Sequence, residues 1–303
     1  AALVPAVEGL AVAADQQVTA AQTLDEGVRA AYRSARRSVE QSLRDGRLLR
    51  GEVLTRWQEF VGAGELFRGL EARVGRIRDR IVAAATRRPA PNTELRTAIE
   101  SQLVALLREA AAAAAEQSHA AWQLHPAGRA LLTSDLARPG ADLPERAERL
   151  VRDWQQEVVE LVRSQGESRR MVARGAAYAV NATGLAVMIA VFASTAFIPT
   201  GIEVAAAGGT TVAAQKVLEA IFGDQAIRTL ATRARTRLLA LVDQLFADEA
   251  ARYLTRTAAV GVHAGPGERL RAAARLVDTA RARTGLTAAT GVPTYPISPR
   301  TGR

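Results

Sequence analysis

At 303 residues the chain is long enough for one or two domains with a sizeable core, and size sets no limit on folding. Only 4% of residues are aromatic and alanine dominates the apolar fraction, which disfavours a sheet; the absence of Cys excludes disulfides, thiolate catalysis and cysteine metal sites. The net charge of +9 comes almost wholly from arginine, but the arginines are interleaved with Glu and Asp and no DNA- or RNA-binding signature occurs, so nucleic acid is not an expected partner.

From Val7 onward, apolar or small residues recur at Leu10, Ala14, Val18, Ala21, Leu24, Val28, Ala31, Ala35, Val39 and Ser42. That three-and-four spacing predicts one long amphipathic helix with a coiled-coil-like seam. Its outer face carries Arg29, Arg33, Arg36, Arg37 and Arg44, readable as a solvated face or as a lipid or partner surface. Gly46 and Gly51 loosen the chain before a short helix with Val53, Trp57, Phe60 and Val61 on one face. A third helix is expected over Leu70 to about Thr86. After the loop Arg87-Arg-Pro-Ala-Pro-Asn92, with Asn92 placed as a cap, a fourth runs through Leu95, Ile99, Leu103, Leu106 and Ala110 toward Trp122.

Pro126, Gly128, Pro139 and Gly140 mark a broken connection. Asp142-Leu-Pro-Glu145 then signals a helix start, and Leu143, Ala147, Leu150, Trp154, Val158, Leu161 and Gln165 repeat at coiled-coil spacing. This helix leads into the stretch Gly175 to Ile202, which contains no charged residue. Ala176 to Ile198 would span roughly 35 Å as a helix, the thickness of a bilayer's hydrocarbon core. Val204 to Gln215 is too short to span by itself and reads as the returning arm of a hairpin, its Ala205, Gly208 and Gly209 allowing close helix contact. A further long helix from Asp224 has the seam Ile227, Ala231, Ala234, Leu238, Leu241 and Leu245. Two placements of the hairpin stay open: insertion in a membrane, or burial as the core of a helical bundle.

Charge flanking suits insertion. Arg163, Arg169, Arg170 and Arg174 precede the apolar stretch, Arg228, Arg233, Arg235 and Arg237 follow the return arm, and Pro199-Thr-Gly201 between the arms has none. The residues expected in the bilayer are Leu185, Val187, Met188, Ile189, Val191, Phe192, Phe197 and Ile198, with Arg169, Arg170, Arg174 and Arg228 at the lipid headgroups.

No catalytic constellation, metal site or cofactor site is expected. There is no Gly-x4-Gly-Lys-Ser/Thr loop, and Lys216, the sole lysine, lacks a glycine-rich setting. Glu116-Gln-Ser-His119 matches one half of a di-metal carboxylate motif, but no second half occurs. Trp57, Trp122 and Trp154 lie among helical apolar positions and read as core anchors.

Three segments, Gly51-Glu-Val-Leu-Thr-Arg-Trp-Gln-Glu-Phe-Val61, Val180 to Phe192, and Gln215 to Gln225, together resemble the helical C-terminal half of bacterial dynamin-like GTPases. The likeness of layout covers about residues 1–285. It implies a trunk of long antiparallel helices and a membrane-contacting tip, here the apolar stretch and its return arm. It also implies membrane lipid as partner, together with a second copy or a paired dynamin-like GTPase, at the cytoplasmic face of the cell membrane. No nucleotide-binding residue carries over, so this chain is not expected to be an enzyme by itself. The opening Ala-Ala-Leu-Val, without Met or a signal-peptide pattern, is compatible with the C-terminal part of a longer protein.

The expected fold is all-α: an elongated antiparallel helical bundle or stalk with an apolar helical hairpin at its tip. Its parts are a long-helix bundle over 1–123, a linker over 124–142, stalk helices over 143–262 carrying the hairpin at 175–222, a terminal helix over 263–285 and a disordered tail over 286–303. The competing functional readings are a pore-forming protein with a concealed hairpin and a helical scaffold whose hairpin is permanent core.

Overall fold

The computed structural model describes residues 3–62, 91–166, 182–195, 224–261 and 265–283. Its elements are α1 (Leu3–Arg44), α2 (Glu52–Gly62), α3 (Pro91–Leu124), α4 (Pro126–Leu131), α5 (Leu143–Gly166), α6 (Ala182–Thr195), α7 (Asp224–Ala259) and α8 (Pro266–Arg283), with 3-10 turns at Arg47–Leu49 and Ser134–Ala137. The protein is all-α, as the alanine-rich, aromatic-poor composition implies. The expected helix from Leu70 to Thr86, the return arm of the hairpin and the tail lie outside the described residues.

The chain divides into two compact units, one of residues 26–255 and one formed by residues 1–25 and 256–303. In the larger unit the α1 seam falls where the periodicity puts it: Val28, Ala31, Ala35, Val39 and Ser42 are buried. Gly46 and Gly51, at φ of 63° and 58°, take the left-handed conformation that turns the chain from α1 toward α2. Trp57, Trp122 and Trp154 are all fully buried. Each helix meets its neighbours through an apolar seam and one or two polar ties. α2 holds α3 by Arg56 to Glu94 (2.9 Å), α3 holds α5 by Arg152 to Glu100 (3.1 Å), and α5 holds α7 by a two-pronged pair between Arg237 and Glu157 (2.6 and 2.8 Å).

Residues 132–142, expected as a loose connection, are fastened to α7 by a buried carboxylate. Glu249 accepts from the Gly140 backbone N–H (2.8 Å), from Arg146 and from Arg252 (3.3 Å), while Arg252 also donates to the carbonyls of Asp135 and Arg138. Burial of a carboxylate is tolerated only with such pairing. Gly140 is required for the approach, because a Cβ there would stand 3.1 Å from Glu249 Oε1 and 2.9 Å from Asp142 Oδ1.

Two buried tyrosines near this cluster differ in their polar accounting. The Tyr253 hydroxyl, on α7, lies between the carbonyls of Ala115 (2.9 Å) and Leu136, and its ring meets Trp122 edge-on. The Tyr32 hydroxyl, on α1, is buried with no hydrogen-bond partner among the described residues.

In the smaller unit, α8 is tied to the N-terminal part of α1. Arg271 pairs with Glu8 and Asp15, both at 3.0 Å, and Asp15 accepts from the Gly267 N–H at the start of α8. A carboxylate there also complements the helix dipole. The contact needs glycine, since a Cβ at Gly267 would come within 2.2 Å of Asp15 Oδ2. Apolar burial is slight in this unit: Leu10, Leu276 and Val4 are all at least half exposed.

Removing the two tyrosine hydroxyls should have opposite consequences. Tyr253→Phe leaves a buried carbonyl short of a donor and should lower stability by about 1–3 kcal/mol, whereas Tyr32→Phe should be neutral or stabilise by up to about 1 kcal/mol, both read by urea denaturation. Burial pushes the Tyr253 hydroxyl up to about 12, and pushes Tyr32 up as well with help from the Glu249 charge. A phenol whose pKa is raised by folding contributes stability below its unfolded value near 10 that is lost as pH rises through the folded value. Stability should therefore fall between pH 10 and 12, and less steeply in Tyr253→Phe.

Candidate functional site: a sheathed apolar helix

α6 reads Ala-Thr-Gly-Leu-Ala-Val-Met-Ile-Ala-Val-Phe-Ala-Ser-Thr from Ala182 to Thr195 and has no polar face. Every residue from Ala186 to Ala193 is 4% exposed or less. Eight consecutive helical residues cover more than two turns, so burial of all of them means that the helix is enclosed on every side. It packs on α3, α5 and the turn at Arg47–Leu49. Trp57 of α2 meets Phe192 edge-on, ring centroids 6.2 Å apart.

Small residues set how closely the sheath fits. Ala186, Val187 and Ala190 face Ile99 of α3 and Val159 of α5 across a residual cavity of about 10 Å³, the least that could hold one water. At its edge Gln155 turns its amide away to the Arg96 carbonyl (3.2 Å), which keeps the α6 side of the cavity apolar.

One charge reaches α6. Arg235 of α7 donates Nε–H to the Ala193 carbonyl (2.8 Å), near the end of the described part of the helix. Its Nη2 is buried with no hydrogen-bond partner among the described residues. Burial pulls the Arg235 guanidinium's pKa down, neighbouring Arg44 pulls the same way, and Glu40 opposes.

Of the residues expected in a bilayer, Val187, Met188, Ile189, Val191 and Phe192 are brought together inside the larger unit and not on a surface. The side chain of Leu185 and the whole of Phe197 and Ile198 lie outside the described residues, as do Arg169, Arg170 and Arg174. Arg228 is on α7, exposed, and pairs with Asp224 one turn earlier (2.9 Å). No helix among the described residues is long and apolar enough to cross a membrane. α6 itself, at 14 residues, is roughly 21 Å long.

Arg235 belongs to the arginine series that flanks the apolar region, yet its tie to Ala193 has no local signature. The one available hint is a charge directly after the seam residue Ala234. Among the described residues no three of His, Asp and Glu gather as a metal site. His125 instead caps α4, its Nδ1 accepting from the Ala127 N–H (3.2 Å). Compared with protein-family models, with curated proteins and with solved structures, the chain matches none.

Ile189→Ala should lower stability by about 2–5 kcal/mol through the cavity it leaves. Val187→Asp should cost as much or more, because it removes packed apolar surface and puts a carboxylate into an enclosed, largely apolar site. Arg237→Ala, which removes the exposed pair with Glu157 that ties α7 to α5, should lower stability by no more than about 1 kcal/mol, read from the urea midpoint.

Proposed function

We propose that the chain is the helical stalk region of a dynamin-like membrane protein, one that stores its apolar segment inside the bundle and delivers it to a bilayer when the sheath opens. The observation that carries this reading is an uncharged run from Gly175 to Ile202 in a chain otherwise dotted with charge, whose central residues are enclosed on every side. A helix apolar all round is matched by a protein core or by a membrane.

Energetics support exchange between those two. Val187, Met188, Ile189, Val191 and Phe192, at roughly 1.5–3 kcal/mol each, favour a dry environment over water by on the order of 10 kcal/mol. Between a packed core and lipid hydrocarbon the difference is far smaller, because both are dry. The helix can thus trade sheath for bilayer but not for water. Nucleotide hydrolysis in such a machine would belong to another domain or another chain, and the working place would be the cytoplasmic face of the cell membrane, with further copies or a paired dynamin-like GTPase as partners.

A second reading, a helical scaffold with α6 as permanent core, is favoured by the tight fit around Ala186 and Ala190 and by the Arg235 tie. Flotation with vesicles that carry a photoactivatable group on the acyl chain separates the two. The proposal expects co-flotation and cross-links within Ala186–Ala193. A monodisperse sample that stays at the bottom of the gradient, or floats with cross-links only elsewhere, makes α6 permanent core.

A further inference from the structure

The larger unit has a second feature that the sheathed helix does not use. Along α1, Arg29, Arg33 and Arg36 follow one another at steps of four and three, which places them on one stripe, with Arg37 at its side. They line a groove of about 440 Å³ between α1 and α7. The α7 wall contributes Asp243, the lone carboxylate of the lining, and Phe246 and Ala247. The floor is aromatic: Tyr32 and Phe246 pack with ring centroids 6.2 Å apart and close the bottom of the groove.

The four guanidiniums are not equivalent. Arg36 is held by Glu40 and by Asp243 (3.2 Å), so it is a fixed wall. Arg33 pairs with Glu26 at 3.2 Å, but both side chains are more than half exposed, and such a pair exchanges readily with another anion. Arg37 makes no ion pair among the described residues and is exposed. The lining therefore offers Arg33 and Arg37 to an incoming anion, above a floor of aromatic and methyl carbon flanked by arginine stems.

We propose that this groove binds a single-chain anionic amphiphile, a phosphate monoester on an alkyl chain. Arg33 and Arg37 hold the phosphate as planar, multiply donating groups, and the chain lies along exposed Ala247 and the arginine stems, over the buried Phe246 ring. The volume is that of a small-molecule site, about 300–1,000 Å³. A flat headgroup plane does not reach a concave floor, and inorganic phosphate has nothing to place on it. The inference is independent of whether α6 leaves its sheath, and its test involves no insertion.

The test is calorimetric titration of the whole chain with decyl phosphate below its micelle concentration, alongside inorganic phosphate, decanol, and vesicles with and without anionic phospholipid. One decyl phosphate per chain should bind at least tenfold more tightly than phosphate or decanol. Arg33→Gln with Arg37→Gln should weaken it tenfold or more, and Ala247→Trp, at an exposed position that fills the groove, should block it; unchanged thermal melting certifies both folds. Equal binding by the double variant and the wild type overturns the proposal, as does binding without saturation at one per chain. Arginine-dependent binding confined to anionic vesicles, or to an acidic amphipathic peptide in place of decyl phosphate, overturns it too.

Discussion

Eight residues in a row with no polar side chain must be surrounded by something dry, and the larger unit is built around that requirement. An amphipathic helix can be served by one neighbour, but α6, buried from Ala186 to Ala193, needs a neighbour on each side. The surrounding helices are accordingly amphipathic, each with an apolar seam inward and arginine–carboxylate pairs outward. The large side chains at the contacts, Trp57 against Phe192 and Ile99 with Val159 beside Ala190, alternate with small ones, which lets the helices approach closely and leaves one small cavity there.

Enclosure on all sides makes the ends of the apolar helix the difficult places, and there the polar accounting is incomplete. Arg235 satisfies the Ala193 carbonyl at the expense of a buried Nη2 without a partner, and the Trp57 indole N–H is likewise buried and unpaired among the described residues. By contrast Trp154 donates to the Ala234 carbonyl at 2.8 Å, and the Glu249 cluster has a donor for each carboxylate oxygen. Unpaired groups cost about 1–3 kcal/mol each when buried. Two of these groups among the described residues, Arg235 Nη2 and the Trp57 indole N–H, border the helix proposed to leave; Tyr32 Oη, Thr133 Oγ1 and Arg146 Nε lack a hydrogen-bond partner elsewhere.

Local periodicity made the helices and most of the core legible. Val28, Ala31, Ala35, Val39, Val53, Trp57, Leu95, Ile99, Leu103 and Trp154 are buried as their spacing implies. The misses share one cause. Leu106, Leu161 and Leu241 are only half-buried, while Leu107, Val162 and Val242 next to them take the core positions. A strict heptad advances 3.5 residues per turn and a straight helix 3.6, a drift of about 20° per heptad, so a seam read with steps of three and four edges toward the side of the buried face. At the N-terminal end Leu10 is exposed and Ala11 buried. The clamp of Glu249 on Gly140 and the tie of Arg235 to Ala193 join residues 109 and 42 apart, so no local pattern encodes them. Nor could hydropathy choose between core and bilayer for Val187 to Phe192, because both are dry.

The proposed exchange sets its own condition on the sheath. Withdrawing α6 frees the Arg235 guanidinium to water, which relieves its burial, but it also takes this donor from the Ala193 carbonyl. The apolar side is unfavourable: Ile99, Val159 and Trp57 lose the surface that covers them, and an emptied sheath exposes to water the counterpart of what α6 carries away. A bilayer that accepts only α6 leaves that deficit in place. Opening therefore has to be coupled either to collapse of α2, α3 and α5 on one another or to their burial against lipid or another copy. The long antiparallel seams, already spaced for helix-on-helix packing, are the part of the chain that can supply either.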